Sequence, residues 1–384
     1  MIDTKKTWNG SVSTSWYTDA NWTPASVPTA SDCVLIPDVA TTNGRSPIID
    51  ASNTTPFPPT TPGYALNLTV EVNGYIDIKS NSNLVVTDDI VLDGIIDIRD
   101  SGSLVQIIDG SDNVNNNSGS GSMRMERTVP TGVDPSDYVY WSSPTDEDFN
   151  VTDISAVTGE LIYEWNPTTD GINYGNWIPA SGIMSQGKGY IVRGLLPPAP
   201  LPANTTEFIG IPQNGVVKTP INRGTYNGPP YQAGIPGSTR VLVTASDDNW
   251  NLIGNPYPSA IDYTEFIKTV NNPHIDGTIY FWTHANTPSN GNGSPFYSDF
   301  GSNYGSDYIS YNGSGANPAG SSFGNIAAGQ GFFVEMLPTT PTRFQNVTFN
   351  NTMRSVTIDN SEFIRTTESS QQPSGIEKHR IWLD

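Results

Sequence analysis

Asn249-Trp250-Asn251-Leu252-Ile253-Gly254-Asn255-Pro256-Tyr257-Pro258-Ser259-Ala260-Ile261-Asp262 decides how this 384-residue chain is read, because it opens the second copy of an internal duplication. The first copy runs Asp137-Tyr138-Val139-Tyr140-Trp141-Ser142-Ser143-Pro144, then Phe149, Ile154 and Gly159-Glu160-Leu161-Ile162-Tyr163-Glu164-Trp165, and closes on Gly187-Lys188-Gly189-Tyr190-Ile191-Val192. The second continues through Ile261, Phe266 and Gly277-Thr278-Ile279-Tyr280-Phe281-Trp282 to Gly329-Gln330-Gly331-Phe332-Phe333-Val334. Pro144 and Pro256 lie 112 positions apart, as do Phe149 and Ile261; the offset grows to 142 at the G-x-G pair. An insertion at 285–322, rich in Gly, Ser, Asn and Tyr, accounts for the growth.

Each copy reads as strand, X-Pro turn, short helical stretch, aromatic strand, loop and G-x-G strand. Two β-sandwich-like units are expected. Asp262 is placed to cap a helical turn, with Thr152-Asp153-Ile154 as its shorter partner. The G-x-G lacks the third glycine of a dinucleotide loop and runs into a strand, so a bend or bulge is expected. A pattern used twice in one chain is better explained by fold than by a ligand. Further strands are expected at 206–210, 240–244 and 344–349, a polar tether at 358–375, and the first strand of another module at 378–384.

A second repeat lies upstream. Asn73-Gly74-Tyr75-Ile76-Asp77-Ile78 returns as Asp93-Gly94-Ile95-Ile96-Asp97-Ile98, and Asn83-Leu84-Val85-Val86 as Ser103-Leu104-Val105-Gln106, both 20 residues on. Alternation of apolar and polar residues marks strands with one buried face. A fixed offset near 20 fits the coil of a parallel β-solenoid, with an antiparallel meander as the alternative. Gly74 and Gly94 are expected at corners that need positive φ. Residues 109–122 are almost without apolar content and read as a flexible linker or exposed loop. Residues 41–63 read as a long surface loop. At the start, Trp8, Trp16 and Trp22 stand among Asn, Gly and Pro and suit a cap that closes one end of a β domain.

The expected fold is therefore all-β: a short parallel β-solenoid with a Trp-rich cap, followed by duplicated β-sandwich-like units. The divisions are 1–122 (cap and solenoid), 123–248 (first unit), 249–340 (second unit, joined with the first or separate) and 341–384 (tail and next module).

Composition agrees. Gly 36 and Pro 31 point to a turn-rich chain, and Trp 9, Tyr 17 and Phe 13 supply core material. Lys+Arg 18 against Asp+Glu 38 leaves a formal charge of -20, which repels nucleic acid and anionic membrane. No apolar run approaches the ~20 residues that span a bilayer. The single cysteine, Cys33, is expected as a small buried hydrophobe in a strand. No signal peptide precedes Thr4, which suggests a trimmed chain start.

The opening Thr7-Trp8-Asn9-Gly10 with Asn21-Trp22, the block from Trp250 to Asp262, Ala328-Gly329-Gln330-Gly331-Phe332-Phe333-Val334 and the terminal Lys378 to Asp384 resemble large surface proteins of the Bacteroidota, particularly flavobacteria, exported by the type IX secretion system. The resemblance implies an extracellular or cell-surface address, passage through that secretion machinery, and an adhesin-like task. The C-terminal sorting domain such proteins typically carry is not in this chain.

Chemistry is sparse. His274, His284 and His379 lack metal-ligand spacing, and neither G-x-S-x-G nor H-E-x-x-H occurs. The pairs Asp88-Asp89, Asp146/Asp148 and Asp247-Asp248 would serve glycoside hydrolysis only if they faced one another across a cleft. Asp170, Asn173, Asp247 and Asp248 are the candidate Ca²⁺ ligands, with solvated turns as the alternative. Trp177, Tyr297, Tyr304 and Tyr308, with Trp16 and Trp22, are candidate stacking platforms for glycans or other surface polymers, and the 285–322 insertion is the favoured place. The leading expectation is a non-catalytic extracellular surface module of a multidomain exported bacterial protein, serving adhesion or presentation. The alternatives are a carbohydrate-binding module and a polysaccharide-degrading enzyme.

Overall fold

The computed structural model describes residues 4–51, 61–129, 138–146, 148–155, 162–169, 173–193, 205–233, 241–282, 308–313, 316–317, 325–361 and 363, and they are almost wholly β. The first part holds β1 (Thr4–Trp8), β2 (Trp22–Thr23), β3 (Asp32–Ile36), β4 (Ile48–Ile49), β5 (Gly63–Ala65), β6 (Leu68–Val70), β7 (Tyr75–Ile78), β8 (Asn83–Val86), β9 (Ile90–Leu92), β10 (Ile95–Ile98), β11 (Ser103–Gln106) and β12 (Ser122–Thr128). Sheet A is ordered β2-β1-β3-β6-β9, sheet B runs β4-β7-β10-β12, and sheet C is β5-β8-β11. Among these twelve strands all neighbours except β1 and β2 are parallel, and beyond β12 sheet B takes one later strand, antiparallel. From β3 onward the chain visits A, B and C in that order three times. Ile95 opposes Tyr75 and Ser103 opposes Asn83, so the 20-residue offset is the pairing register of two parallel ladders.

Register stacks like on like. Val34, Leu68 and Ile90 form one inward column, and Ile78, Ile98 and Met125 another; all are buried. Each such side chain contributes about 1.5–3 kcal/mol on full burial. The corner between sheets A and B corrects the expectation for its glycines. The positive φ of 62° belongs to Asn73, not to Gly74 or Gly94. Glycine is needed there for proximity: a Cβ on Gly94 would lie 2.3 Å from the Gly74 carbonyl oxygen, and one on Gly121 2.1 Å from that of Gly94.

Both ends of this stack are closed. Trp8, Trp16 and Trp22 are buried and meet edge to face, with Trp22 centred 5.1 Å from Trp8 and 4.7 Å from Trp16. Trp8 Nε1 donates to the Arg45 carbonyl and Trp22 Nε1 to that of Trp16. At the other end the aliphatic column stops at Gln106, whose amide exchanges two hydrogen bonds (2.9 and 2.8 Å) with that of buried Asn117. The stretch 109–122 is thus anchored rather than a free linker: Asn117 and Asn115 also donate to the Pro212 carbonyl. Cys33, expected buried, lies half-buried on the outward row of β3 beside Asn67.

The second part holds two sheets of like strand order. β13 (Tyr138–Trp141), β14 (Ile162–Asn166), β15 (Asn176–Pro179) and β16 (Tyr190–Arg193) form sheet D in the order β13-β16-β14-β15. After β17 (Thr205–Gly210) come β18 (Val217–Asn222), the hairpin β19 (Tyr231–Ala233) and β20 (Val241–Val243), β21 (Trp250–Gly254), β22 (Ile261–Asp262), β23 (Ile275–Trp282), β24 (Tyr308–Tyr311), β25 (Ala316–Asn317), β26 (Asn325–Ile326), β27 (Gly331–Met336) and β28 (Phe344–Phe349). Sheet E is ordered β21-β27-β23-β24-β25, the same first-last-second-third sequence with one strand more. Each copy also has an antiparallel pair of a leading and a closing strand, β12 with β17 and β18 with β28.

The likeness reaches individual hydrogen bonds. Asn150 Oδ1 accepts from Thr152 N and Oγ1 ahead of the 3-10 turn Val151–Asp153, and Asp262 Oδ1 accepts from Thr264 N and Oγ1 ahead of α1 (Tyr263–Phe266). The two copies meet through reciprocal contacts. Trp141 bridges to Gln330, and Ile253 to Lys188; the offsets of 112 and 142 interconvert the two bridges. Ser142 N donates to Gly329 O and Gly254 N to Gly187 O, each at 2.8 Å. Gly187 and Gly329 have φ of 67° and 70°, so the first glycine of each G-x-G makes the expected bend.

Sheets D and E face one another across an aromatic layer of Tyr138, Tyr140, Trp165, Trp177, Trp250, Tyr280, Trp282 and Phe333. A returning segment, 350–363, fastens both copies to the parallel sheets. Its buried Arg354 donates to Leu104 O, Ser259 Oγ, Asn214 Oδ1 and Asn351 Oδ1 and lies 4.6 Å over the Tyr257 ring. Asn360 Nδ2 donates to Gly102 O while its Oδ1 accepts from Ala328 N.

Candidate functional site

Two residues nominated for stacking turn out to be counterparts. Trp165 opposes Trp177 in sheet D, and Trp282 opposes Tyr308 in sheet E. Both project into the layer between the sheets. Trp177 is 6 % exposed, with its ring 6.0 Å from the buried Phe333. Tyr308 is half-buried, 6.2 Å from the same ring, and its hydroxyl is 2.6 Å from that of Tyr140. Trp177 therefore has no face to offer a sugar, and Tyr308 is committed to holding the two copies together. Trp16 and Trp22 are likewise buried in the cap. Tyr297, Tyr304 and Asp170 lie outside the described residues, as do His284, His379 and most of the insertion.

The remaining nominees do meet. Asn173, on the loop between β14 and β15, donates through Nδ2 to the Tyr231 hydroxyl at 3.1 Å. Gly175 N, two residues on, donates to Asp247 O. Asp247 Oδ2 accepts from Thr244 N at 2.5 Å, closing the turn that leads from β20 to β21. Asp248 Oδ2 accepts from Tyr226 N at 3.4 Å, and its own carbonyl accepts from Gly224 N. A Cβ on Gly224 would lie 1.5 Å from Asp248 Oδ2, so glycine makes room for the carboxylate. Burial raises the pKa of both acids above the usual carboxylate value, against the backbone donors that lower it. The cluster is completed by two tyrosines that the sequence reading passed over. Tyr226 and Tyr231 meet edge to face at 5.5 Å, and the Tyr226 hydroxyl donates to Pro229 O. Tyr231 is 37 % exposed. Their signal was Tyr226-Asn227-Gly228-Pro229-Pro230-Tyr231, a turn that fixes two rings on one side.

The other acid pairs each serve their own surroundings. Asp146 Oδ1 accepts from Gln186 Nε2 and Asp148 Oδ2 from Ile211 N. Burial is the main influence raising Asp89 and Asp148. Among the described residues no group of three or more His, Cys, Asp or Glu is arranged to hold a metal ion.

A second surface was hidden in the 20-residue repeat. On the outward rows of sheet B, Asp77, Asp97 and Arg124 stand in register, and Glu126 opposes Glu207 on β17. Arg99 bridges Asp77 (3.3 Å), Asp97 (3.5 Å) and Glu126 (2.7 Å), Lys79 pairs with Asp77 (2.5 Å), and the Tyr75 hydroxyl donates to Asp97 (2.5 Å). Burial and then the Asp97 bond raise the Tyr75 pKa, so it keeps its proton. For Arg99 burial works downward, but its bond to Glu126 and the three carboxylates outweigh it. The signal was Asp77 over Asp97 and Lys79 over Arg99 at the repeat offset.

No curated protein and no solved structure matches the chain. One family model, described as a domain of unknown function, DUF8693, matches residues 7–384. The chain belongs to the DUF8693 family.

Proposed function

We propose that this chain is a non-catalytic extracellular module of a multidomain exported bacterial protein, serving adhesion to, or presentation at, a polymer-covered surface. One observation carries the reading: among the described residues the acid pairs nominated for chemistry are tied into turns, while ordered polar groups remain at two surfaces. These are the charged rows of sheet B and the Tyr226–Tyr231 cluster. The address rests on the resemblance to type IX-exported surface proteins. The proposal does not depend on Ca²⁺; of its nominated ligands, Asp247 and Asp248 each accept from a backbone amide through Oδ2.

In architectural terms we take the repeated A-B-C path as a short parallel β-solenoid capped by three tryptophans. The two copies are then sandwich-like units packed on each other. The ladders favour units at 122–210 and 217–349, each closed by its own strand pair. The second unit thus begins before Asn249, and 350–363 returns to the solenoid.

The test is retention of the whole chain on a panel of insoluble and soluble polysaccharides, with a parallel search for reducing ends or unsaturated products. Binding without product release is expected. Sustained depolymerisation that disappears when one acid pair is replaced would overturn the proposal.

A further inference from the structure

We infer that Tyr231, with Tyr226 and Asn173, forms a subsite for a neutral, hydroxyl-rich sugar unit of a polysaccharide; this rests on the adhesive reading above. Tyrosine on a surface is ordinarily free to change rotamer. Here both hydroxyls are bonded to the protein, Tyr226 to Pro229 O and Tyr231 to Asn173 Nδ2. The two rings also hold one another edge to face. An aromatic pair fixed in advance loses little conformational entropy on binding, which is what a preorganised site requires. Tyr231 remains more than one-third exposed while so fixed.

The surroundings choose the ligand. A pyranose offers an apolar C–H face and a rim of hydroxyls. The ring of Tyr231 suits the face, and the Asn173 amide, which has donor and acceptor ends, suits the rim. The chain's formal charge of -20 disfavours uronate or sulfated polymers. The site joins three chain segments: the loop before β15, the turn 223–230 and the start of β19. That spread explains why no single motif announces it. Tyr231 also opposes buried Val243 across the β19–β20 hairpin, so its backbone is tied to the core.

Affinity electrophoresis of the full chain through gels containing a mannan, a mixed-linkage β-glucan or alginate tests the inference. Retardation is expected with a neutral polymer and not with alginate. Tyr231→Ala is expected to weaken it at least tenfold. Tyr231→Phe, which keeps the ring and loses the bond to Asn173, should cost only a few-fold. Circular dichroism and thermal unfolding of each variant establish that it is folded. If a neutral polymer retards Tyr231→Ala as strongly as wild type, the subsite is wrong. If that binding is lost instead in Arg99→Ala, adhesion stands and moves to sheet B. If alginate alone is bound, the sugar class is wrong. Absence of binding to any polymer removes both the subsite and the adhesive reading.

Discussion

The two copies share a hydrogen-bond plan more closely than a residue plan. Trp141 corresponds to Ile253, Ile191 to Phe333, Trp177 to Tyr308 and Val139 to Asn251, yet each pair occupies the same layer or ladder position. Backbone pairing and turn caps tolerate exchange of side chains as long as the inward or outward direction is kept. The differences lie in what each leading strand meets. The free edge of β12 pairs with β10 and extends sheet B. The corresponding edge of β18 is closed. Lys218 N donates to Asn113 Oδ1, Asn222 N to Asn251 Oδ1, and Pro220 between them has no N–H. One copy uses its edge to join the parallel sheets, and the other spends two asparagines and a proline to end there.

The aromatic layer is where breaking the comparison costs most. Phe333 is fully buried among Tyr140, Trp165, Trp177 and Tyr308 at 5.6–6.2 Å. Phe333→Ala should destabilise by about 3–5 kcal/mol, and Ile191→Ala at the corresponding position by about 2–4 kcal/mol. Urea unfolding of both variants measures the difference. Equal, small losses would mean that the sheets do not depend on this packing.

The paired glycines come next. Alanine at Gly187 or Gly329 is strained by the left-handed backbone, about 1 kcal/mol. At Gly187 the new Cβ would also lie 2.0 Å from Thr219 Oγ1, whereas at Gly329 the nearest atom is 3.2 Å away. Gly187→Ala should therefore cost roughly 2–4 kcal/mol and Gly329→Ala roughly 1–1.5 kcal/mol. The reverse order in thermal unfolding would refute the assigned geometry.

Closing the β18 edge ranks third. Asn251 binds both the N–H and the carbonyl of Asn222, and Asn272 does the same for Thr348 on the far side of the β18–β28 pair. Replacing Asn251 by valine, the residue of the other copy, leaves two half-buried backbone groups without those partners. A loss of about 1–3 kcal/mol is expected, with increased self-association by light scattering as the edge opens.

Much of this plan was legible before any coordinates, and the misses share a cause. Offsets of 20 and 112 residues are sums along the chain, so a repeated sequence exposes them directly. Capping by Asp262 is local for the same reason, whereas the Asn150 cap of the shorter partner was not read. Facing is not local. Trp177 and Tyr308 sit in strands whose two sides both carry large residues, and only the opposing sheet decides which side is dry. The same holds for Cys33, which alternation alone cannot place on a sheet with one covered face. At 109–122 the exposed-loop reading holds, and only the flexible-linker alternative fails, because Asn117 and Gln106 satisfy each other inside. The tyrosine cluster needed three separate segments to be brought together.

The smallest effect concerns the connection that copy two has lengthened. Residues 129–137 link β12 to β13, whereas 223–249 link β18 to β21, and the longer connection ends on buried Asp248. Burial raises its folded pKa above the ordinary 3.8. The folded protein then holds this proton more tightly than the unfolded chain does, so the acid's contribution is fully present below 3.8. It is lost as pH rises through the raised folded value. Asp248→Asn keeps the shape and an oxygen for Tyr226 N but cannot titrate. Its stability relative to wild type should therefore rise between pH 3 and pH 7, by under about 1 kcal/mol, in urea titrations at both pH values. A difference between variant and wild type that stays constant with pH would show that Asp248 is charged at no cost. The turn would then be held by its backbone bonds alone.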